Sequence, residues 1–174
     1  MSMETKCVAI RLMLSDIDGV LTDGRLVYDN EGIESKAFHC RDGQGIRLWR
    51  DAGYPFGLIT LRNSRIVQRR AAELEIDFLR QGVTNKLAAI ETIAAELDLG
   101  LDAICYLGDD LPDVRVLGSV GLGVSVADGC QEAREAADYV TQLAGGQGAV
   151  RETIEMILRV QGRWEEVVGR YLGE

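Results

Sequence analysis

The sequence has 174 residues, of which 47% are hydrophobic and 27% charged, and its formal net charge is −9 at pH 7. This length and composition are typical of one soluble globular domain. So acidic a balance argues against binding to nucleic acid, which depends on Lys and Arg facing phosphates. We see neither an export signal nor an apolar run long enough to cross a bilayer, so no membrane partner is expected.

Cysteine and histidine usage narrows the possibilities further. The four cysteines are widely spaced and form no CxxC pair, which predicts free thiols in a reducing cytoplasm: Cys7, Cys40, Cys105 and Cys130. The single histidine, His39, excludes metal sites built from several histidines and argues against a Ser-His-Asp triad.

The predicted elements begin with a buried strand over 8–15 that ends at Asp16. A β-hairpin follows, with strands over 24–29 and 33–38 joined by a turn-forming stretch. We then predict helices over 45–52, 64–74, 86–97, 112–117, 132–137, 149–161 and 164–172, and strands over 56–60, 78–80, 103–107, 120–124 and 139–141. This alternation implies one parallel sheet with helices on both faces, and ligands in such sheets bind beyond the carboxyl ends of the strands.

Two acids, Asp16 and Asp18, follow the first strand directly. On extended chain their carboxylates point to the same side, where a divalent cation would relieve their repulsion. Oxygen ligands favour Mg²⁺, a carboxylate can attack phosphorus, and a second acid can exchange protons. We therefore predict Asp16 as nucleophile and Asp18 as general acid and base, against the alternative that the motif only caps a turn.

Thr60 and Lys86 follow the next two strands along the chain. Thr60 can donate its hydroxyl to a phosphate oxygen, or it simply fills the end of a strand. Lys86 lies in the first turn of a predicted helix, where the macrodipole disfavours a cation. We therefore expect an anion in front of Lys86 and predict a catalytic role, the alternative being a solvated surface lysine.

A second acidic cluster follows the strand over 103–107. We assign Asp109 to the metal and Asp113 to a supporting role, either through a water molecule or by orienting Lys86, with Asp110 in the same supporting group. Acids at the start of a helix also cap it and favour its dipole, so part of the cluster could be purely structural.

A glycine-rich turn over 145–148 opens a predicted helix that carries Arg151. Turns with free amides can bind anions, although the same residues also suit a flexible loop. Arginine recognises phosphate and carboxylate by two-pronged hydrogen bonds, so we predict that Arg62 and Arg151 contact the substrate.

The order of these motifs resembles the haloacid dehalogenase superfamily of phosphatases, through residues 16–24, Thr60, Lys86 and residues 108–113. The chain is most similar to the branch that acts on 3-deoxy-ulosonic acid phosphates. Residues 19–24, 41–43 and 145–152 carry that closer likeness, although 41–43 alone also fit a tight turn.

The resemblance implies one capless, three-layer Rossmannoid domain over 1–174 with a hairpin flap over about 24–38. It implies a tail over about 145–174 that closes over a sugar acid. The metal would be Mg²⁺, held by Asp16, the backbone carbonyl of Asp18, and Asp109. Thr22 and Arg41 would join the substrate contacts, and a homotetramer would close each active site from a neighbouring subunit.

One residue departs from the superfamily pattern. Leu61 stands where glycine is usual, and glycine's backbone freedom would let the chain approach the substrate closely. We expect hydrolysis of the terminal phosphate of an eight-carbon 3-deoxy-ulosonic acid. Because of Leu61, a nine-carbon, sialic-acid-like substrate remains an alternative.

Two other classes of protein remain possible from the sequence. One is a non-catalytic domain with the same fold, and the other is a receiver domain, whose phosphoacceptor instead follows the third strand.

Overall fold

The computed structural model describes residues 1–173 as eight strands and eight α-helices. The strands are β1 (Leu12–Ser15), β2 (Val27–Tyr28), β3 (Glu34–Ser35), β4 (Phe56–Ile59), β5 (Phe78–Arg80), β6 (Ile104–Gly108), β7 (Leu122–Ser125) and β8 (Tyr139–Val140). The helices are α1 (Met3–Ala9), α2 (Cys40–Asp51), α3 (Arg65–Glu73), α4 (Lys86–Glu96), α5 (Leu111–Leu117), α6 (Gln131–Ala136), α7 (Ala149–Val160) and α8 (Trp164–Leu172). In this part of the chain no helix is long and apolar enough to cross a bilayer.

Six strands form one parallel sheet in the order β5-β4-β1-β6-β7-β8. The central strand is β1, and its last residue Ser15 aligns with Leu58 of β4 and Leu107 of β6. The residues that follow these three strands therefore emerge at one edge of the sheet. The predicted parallel sheet is confirmed, and the acids after β1 and β6 lie at the same edge.

Alternate residues of β1 face opposite layers of helices. Met13 packs into a core formed with α1, α2, α3, α7 and α8. Leu12 and Leu14 pack into a second core with α4, α5 and α6. Within residues 1–173 the β2–β3 hairpin is the only element between β1 and α2. The three-layer, capless fold predicted from the sequence is confirmed.

The prediction for the N-terminal segment was wrong. Val8 lies in α1, whose first turn is capped by the Ser2 hydroxyl, and β1 begins only at Leu12. The apolar residues that resembled one long strand belong to two elements, because Cys7 and Ile10 are buried against the core from the helical side. The Ser2 cap was the sequence signal for this helix.

Helix α2 begins at Cys40, earlier than predicted, so residues 41–43 form a helical turn and not an isolated tight turn. Glycine lowers helix propensity in this region. Asp42 nevertheless fixes the turn by accepting hydrogen bonds from the Gly148 and Arg151 amides at 3.2 and 2.9 Å. A contact with α7 thus overrides local propensity.

The predicted hairpin is confirmed, although β2 and β3 pair over only two residues each. Its turn is closed by the Gly32 amide, which donates to the Asp29 carbonyl at 3.0 Å. Tyr28 and Ile33 are more than half exposed. The hairpin is therefore an arm that contributes little to either core.

Candidate active site

Asp16 follows β1 and lines a cavity of about 230 Å³ at the carboxyl edge of the sheet. One carboxylate oxygen, Oδ1, accepts a hydrogen bond from the Ile17 amide at 2.6 Å, and Oδ2 accepts one from the Lys86 ammonium at 2.5 Å. These contacts fix the carboxylate in one orientation. The cavity is lined by Asp16, Asp18, Thr60, Leu61, Arg62, Lys86, Asp109, Asp110 and Pro112.

Lys86 is the first residue of α4 and is buried. Its ammonium also bonds to Asp113 Oδ1 at 2.6 Å. Burial alone would lower the pKa of Lys86, but the negative charges of Asp16 and Asp113 outweigh burial and raise it. The anions expected in front of this lysine are therefore present, and Lys86 stays charged.

Asp113 is fully buried and is the centre of a hydrogen-bond network. Its Oδ1 accepts from the Tyr106 hydroxyl at 2.5 Å as well as from Lys86, and its Oδ2 accepts from the Asp109 and Asp110 amides at 3.1 and 3.3 Å. Both oxygens are thus occupied by protein donors. Asp113 orients Lys86 and the loop after β6 and is not available as a metal ligand.

Asp110 is the N-cap of α5 and forms a capping box with Asp113. This is the structural role that the sequence left open for part of the acidic cluster. Tyr106 was missed by the sequence reasoning. The alternation along β6 places it in the second core, but no sequence signal shows that its hydroxyl reaches Asp113.

Asp109 has a buried oxygen, Oδ1, with no hydrogen-bond partner in the part of the chain that the structure describes. Its other oxygen lies against Gly19, where an added Cβ would come within 2.0 Å of Oδ2 and φ is +90°. Only glycine fits there. Burial, together with the charges of Asp16 and Asp113, raises the pKa of Asp109 to about 8. An unpaired buried carboxylate of this kind calls for a cation.

The donors at this edge fit a hard metal ion. One carboxylate oxygen from each of Asp16, Asp109 and Asp113 lies within 4.8 Å of the others. Each oxygen of Asp113 accepts two hydrogen bonds from protein donors, whereas each oxygen of Asp16 accepts only one, so Asp16 and Asp109 remain as ligands. Burial raises the pKa of Asp16 against the opposing effect of Lys86, so a bound cation would favour the ionised form. Oxygen donors alone select an ion such as Mg²⁺.

Asp18 and Arg62 flank the cavity. Asp18 is ion-paired with Lys36 of the hairpin arm through Oδ1, and its Oδ2 lies 3.6 Å from Arg62 Nε. Arg62 also bonds to Glu34 at 2.7 Å. Thr60 lines the cavity, and its hydroxyl accepts from the Arg62 amide at 3.2 Å. The structure therefore brings together Asp16, Asp18, Thr60, Arg62, Lys86 and Asp109, as the sequence predicted.

Three predicted substrate contacts lie outside this cavity. Arg41 and Arg151 line a separate cavity of about 560 Å³ beside the starts of α2 and α7, and Arg151 pairs with Glu155 at 2.6 Å. Thr22 is only 1% exposed, and its hydroxyl bonds to the backbone of the loop over 17–24. Thr22 and Arg151 have structural contacts within the single chain, and substrate binding by Arg41, Arg151 and Thr22 stays a prediction.

The glycine-rich turn over 145–148 packs against the loop after β1. A Cβ on Gly145 would lie 1.8 Å from the Gly19 carbonyl oxygen. The amides of the turn bond to protein groups, with Gly146 donating to the Val20 carbonyl at 2.8 Å, so they are not free for an anion. Helix α7 behind them is a core helix. That the tail over about 145–174 closes over the substrate stays a prediction, and Glu174 lies outside the described residues.

Leu61 lies at the mouth of the cavity and is 45% exposed. Among residues 1–173, the non-glycine residues with positive φ are Glu75 and Asp98. Leu61 therefore has a φ that L-residues adopt without strain, and the replacement of the usual glycine leaves the identity of the substrate as a prediction. What distinguishes the position is an apolar side chain next to Pro112 at the entrance.

The sequence of this chain is similar to those of known proteins. Residues 62–152 match the family of haloacid dehalogenase-like hydrolases. The 3-deoxy-D-manno-octulosonate 8-phosphate phosphatase of Salmonella typhi is 43% identical over 166 residues, covering 95% of this chain and 88% of that protein. The enzyme of the same name from Escherichia coli strain K12 is 43% identical over 165 residues, with the same coverage.

Solved structures of similar proteins have the same fold as this chain. The 3-deoxy-D-manno-octulosonate 8-phosphate phosphatase of Moraxella catarrhalis, in complex with a magnesium ion, a phosphate ion and a KDO molecule, superposes with a TM-score of 0.94 at 39% identity over 97% of both chains. The cobalt-bound phosphatase of Haemophilus influenzae superposes with a TM-score of 0.88 at 36% identity, covering 91% of this chain and 93% of that one. Similarity over nearly the full length, together with the acids that meet at one sheet edge, places this chain in the family of haloacid dehalogenase-like hydrolases.

Proposed function

We propose that this chain is a Mg²⁺-dependent phosphomonoesterase that hydrolyses 3-deoxy-D-manno-octulosonate 8-phosphate to the free sugar acid and phosphate. The observation that carries the proposal is that two carboxylates, those of Asp16 and Asp109, line the same cavity. Asp16 is held by Lys86 in a fixed orientation, and Asp109 offers a buried oxygen without a partner. We infer the substrate from the phosphatases of Salmonella typhi and Escherichia coli, which are 43% identical to this chain over 95% of its length.

The metal would be held by Asp16, the backbone carbonyl of Asp18, and Asp109. When bound, Mg²⁺ supplies positive charge that offsets the carboxylates and the phosphoryl oxygens. Around these ligands, Lys86 pairs with Asp16, and Asp113 holds Lys86 in place.

The chemistry proceeds in two displacements. The Asp16 carboxylate attacks phosphorus, the bond between phosphorus and the sugar oxygen breaks, and Asp18 gives its proton to that oxygen, leaving an acyl phosphate on Asp16. Asp18 then takes a proton from water, whose oxygen attacks phosphorus and releases phosphate and the free Asp16 carboxylate. Lys86 and Thr60 stabilise the charge on the transferring group.

Substrate selection depends on the mouth of the cavity. Arg62 lies there and is able to bind the sugar carboxylate, and Leu61 adds apolar surface beside it. A nine-carbon ulosonic acid 9-phosphate is the second candidate, because Leu61 departs from the superfamily pattern at this entrance. Arg41, Arg151 and Thr22 complete the predicted substrate contacts, in a homotetramer located in the cytoplasm.

The test compares phosphate release from the eight-carbon substrate, its nine-carbon analogue and common hexose phosphates, with Mg²⁺ and with EDTA. We expect the highest kcat/KM for the eight-carbon substrate and loss of turnover in EDTA. Asp16→Asn should lower kcat by several orders of magnitude, whereas the control Asp51→Asn changes an exposed acid at the end of α2. Near-normal turnover by Asp16→Asn with Mg²⁺ present would mean that another group is the nucleophile.

A further inference from the structure

Lys36 is a buried cation on an otherwise exposed arm. It follows β3 in the hairpin arm, where Ile33 is 58% exposed, yet the Lys36 side chain has no exposed surface. Removing an ammonium group from water is costly unless it is paired. Lys36 is paired with Asp18 Oδ1 and lies 3.3 Å from Glu34. The one buried lysine of the arm therefore points at the predicted general acid.

Asp18 belongs to a closed group of four charged side chains. Arg62 approaches its other oxygen, Oδ2, at 3.6 Å and is held by Glu34 at 2.7 Å and by the Tyr28 hydroxyl at 2.9 Å. Glu34 also accepts from the Ser64 hydroxyl at 2.7 Å. Two acids thus face two cations. Lys36 holds Asp18 through Oδ1, whereas Oδ2 accepts no hydrogen bond from Arg62, whose Nε has no hydrogen-bond partner among the described residues.

We propose that Lys36 is a positioning residue that holds the Asp18 carboxylate in the orientation from which it exchanges a proton with the leaving oxygen. The inference rests on the proposed function, in which Asp18 is the general acid and base. Lys36 is not among the residues that line the cavity, so it acts through Asp18 and not on the substrate. Without Lys36, only the more distant Arg62 would restrain the carboxylate.

A positioning role for Lys36 predicts different effects on substrates with poor and good leaving groups, whereas a purely structural role predicts the same effect on both. General acid catalysis matters for a sugar alkoxide, which leaves poorly without a proton. It matters far less for p-nitrophenolate, which leaves as a stable anion. Misplacing the acid should therefore slow the sugar phosphate selectively, by part of the roughly 10²–10⁴-fold that a general acid contributes.

The experiment measures kcat and KM of Lys36→Met on 3-deoxy-D-manno-octulosonate 8-phosphate and on p-nitrophenyl phosphate. We expect kcat on the sugar phosphate to fall roughly 10- to 100-fold, with a much smaller loss on the aryl phosphate. Lys36→Arg should recover most of the difference because it keeps the charge. Lys6→Met is the matched control. Lys6 lies on α1, and its substitution removes an ion pair with Asp138.

Equal losses on both substrates, or no loss on either, overturn the inference. Melting curves of Lys36→Met show whether the domain remains folded, which we expect because the arm lies outside both cores. Asp18→Asn separates this inference from the proposed function. If Asp18→Asn shows the selective loss and Lys36→Met does not, only the positioning role fails. If wild-type enzyme hydrolyses neither substrate, the proposed function fails and this inference with it.

Discussion

Asp109→Asn should stabilise the metal-free protein and abolish its response to Mg²⁺. The Asp109 carboxyl is partly buried beside two other carboxylates, and its pKa is raised to about 8. Asparagine has nearly the same shape and no negative charge. Its amide can also donate a hydrogen bond towards the acids, so the variant relieves the repulsion that the cation otherwise offsets.

The size of the effect follows from the pKa. In the unfolded chain an aspartate has a pKa near 3.9, so at pH 7 folding without metal requires Asp109 to take up a proton. Three pH units correspond to an upper limit of about 4 kcal/mol. Partial exposure reduces this limit, and we expect about 1–3 kcal/mol, or roughly 3–10 °C in Tm. The stability conferred by the protonated carboxyl is fully present below about pH 4 and is lost as the pH rises to about 8.

The assay is thermal unfolding from pH 5 to 8 in EDTA and in excess Mg²⁺. In EDTA the Tm advantage of Asp109→Asn over wild type should be small at pH 5 and grow towards pH 8. Mg²⁺ should raise the Tm of wild type and leave that of the variant unchanged. Asp110→Asn is the matched control, because asparagine also caps helices well and Asp110 is exposed. A variant that is less stable than wild type in EDTA at pH 7, or equally stabilised by Mg²⁺, would refute the reasoning.

Two further substitutions test the surroundings of the site. Tyr106→Phe removes a buried hydrogen bond of 2.5 Å to a carboxylate, so we expect about 1.5–3 kcal/mol less stability in urea unfolding and a lower kcat; unchanged stability would mean that Asp113 does not need this donor. Gly145→Ala places a Cβ 1.8 Å from the Gly19 carbonyl oxygen, which should cost about 1–3 kcal/mol and weaken Mg²⁺ binding measured by calorimetry. Gly118→Ala, whose Cβ has ordinary contacts, is its control, and equal behaviour of the two variants would contradict the packing argument.

The sequence predicted the parts of the site that parallel strands position. Asp16, Thr60 and Asp109 each follow a strand of the same sheet, and the carboxyl ends of parallel strands meet at one edge. Lys86 was identified because a cation at the start of a helix is unfavourable without an anion nearby. These predictions needed only strand order and helix polarity, and both can be read from local patterns.

The parts that the sequence did not predict depend on contacts between distant segments. Tyr106 resembles any large residue of a buried strand until its hydroxyl is seen to reach Asp113. Residues 145–148 resemble an anion-binding turn, yet their amides are used by neighbouring loops. Arg151 was predicted as a substrate contact, and no sequence pattern indicated that its guanidinium also lies 5.3 Å from the Trp164 ring and pairs with Glu155. Side chains of these types have both structural and functional uses, and only the tertiary partners decide between them.

The proposed nucleophile, Asp16, and the proposed proton donor, Asp18, are held in place by different parts of the fold. Asp16 is fixed by β1, Lys86 and the buried Asp113, all within the packed domain. Asp18 is restrained by Lys36 on an arm whose strands pair over two residues. Local opening of such an arm costs far less free energy than opening the core. In the proposed mechanism, attack by Asp16 would therefore depend on the stability of the whole domain, whereas proton transfer by Asp18 would depend on whether the arm is docked. Any contact that holds the arm in place, including one from a second copy of the chain, would speed the departure of poor leaving groups without altering the nucleophile.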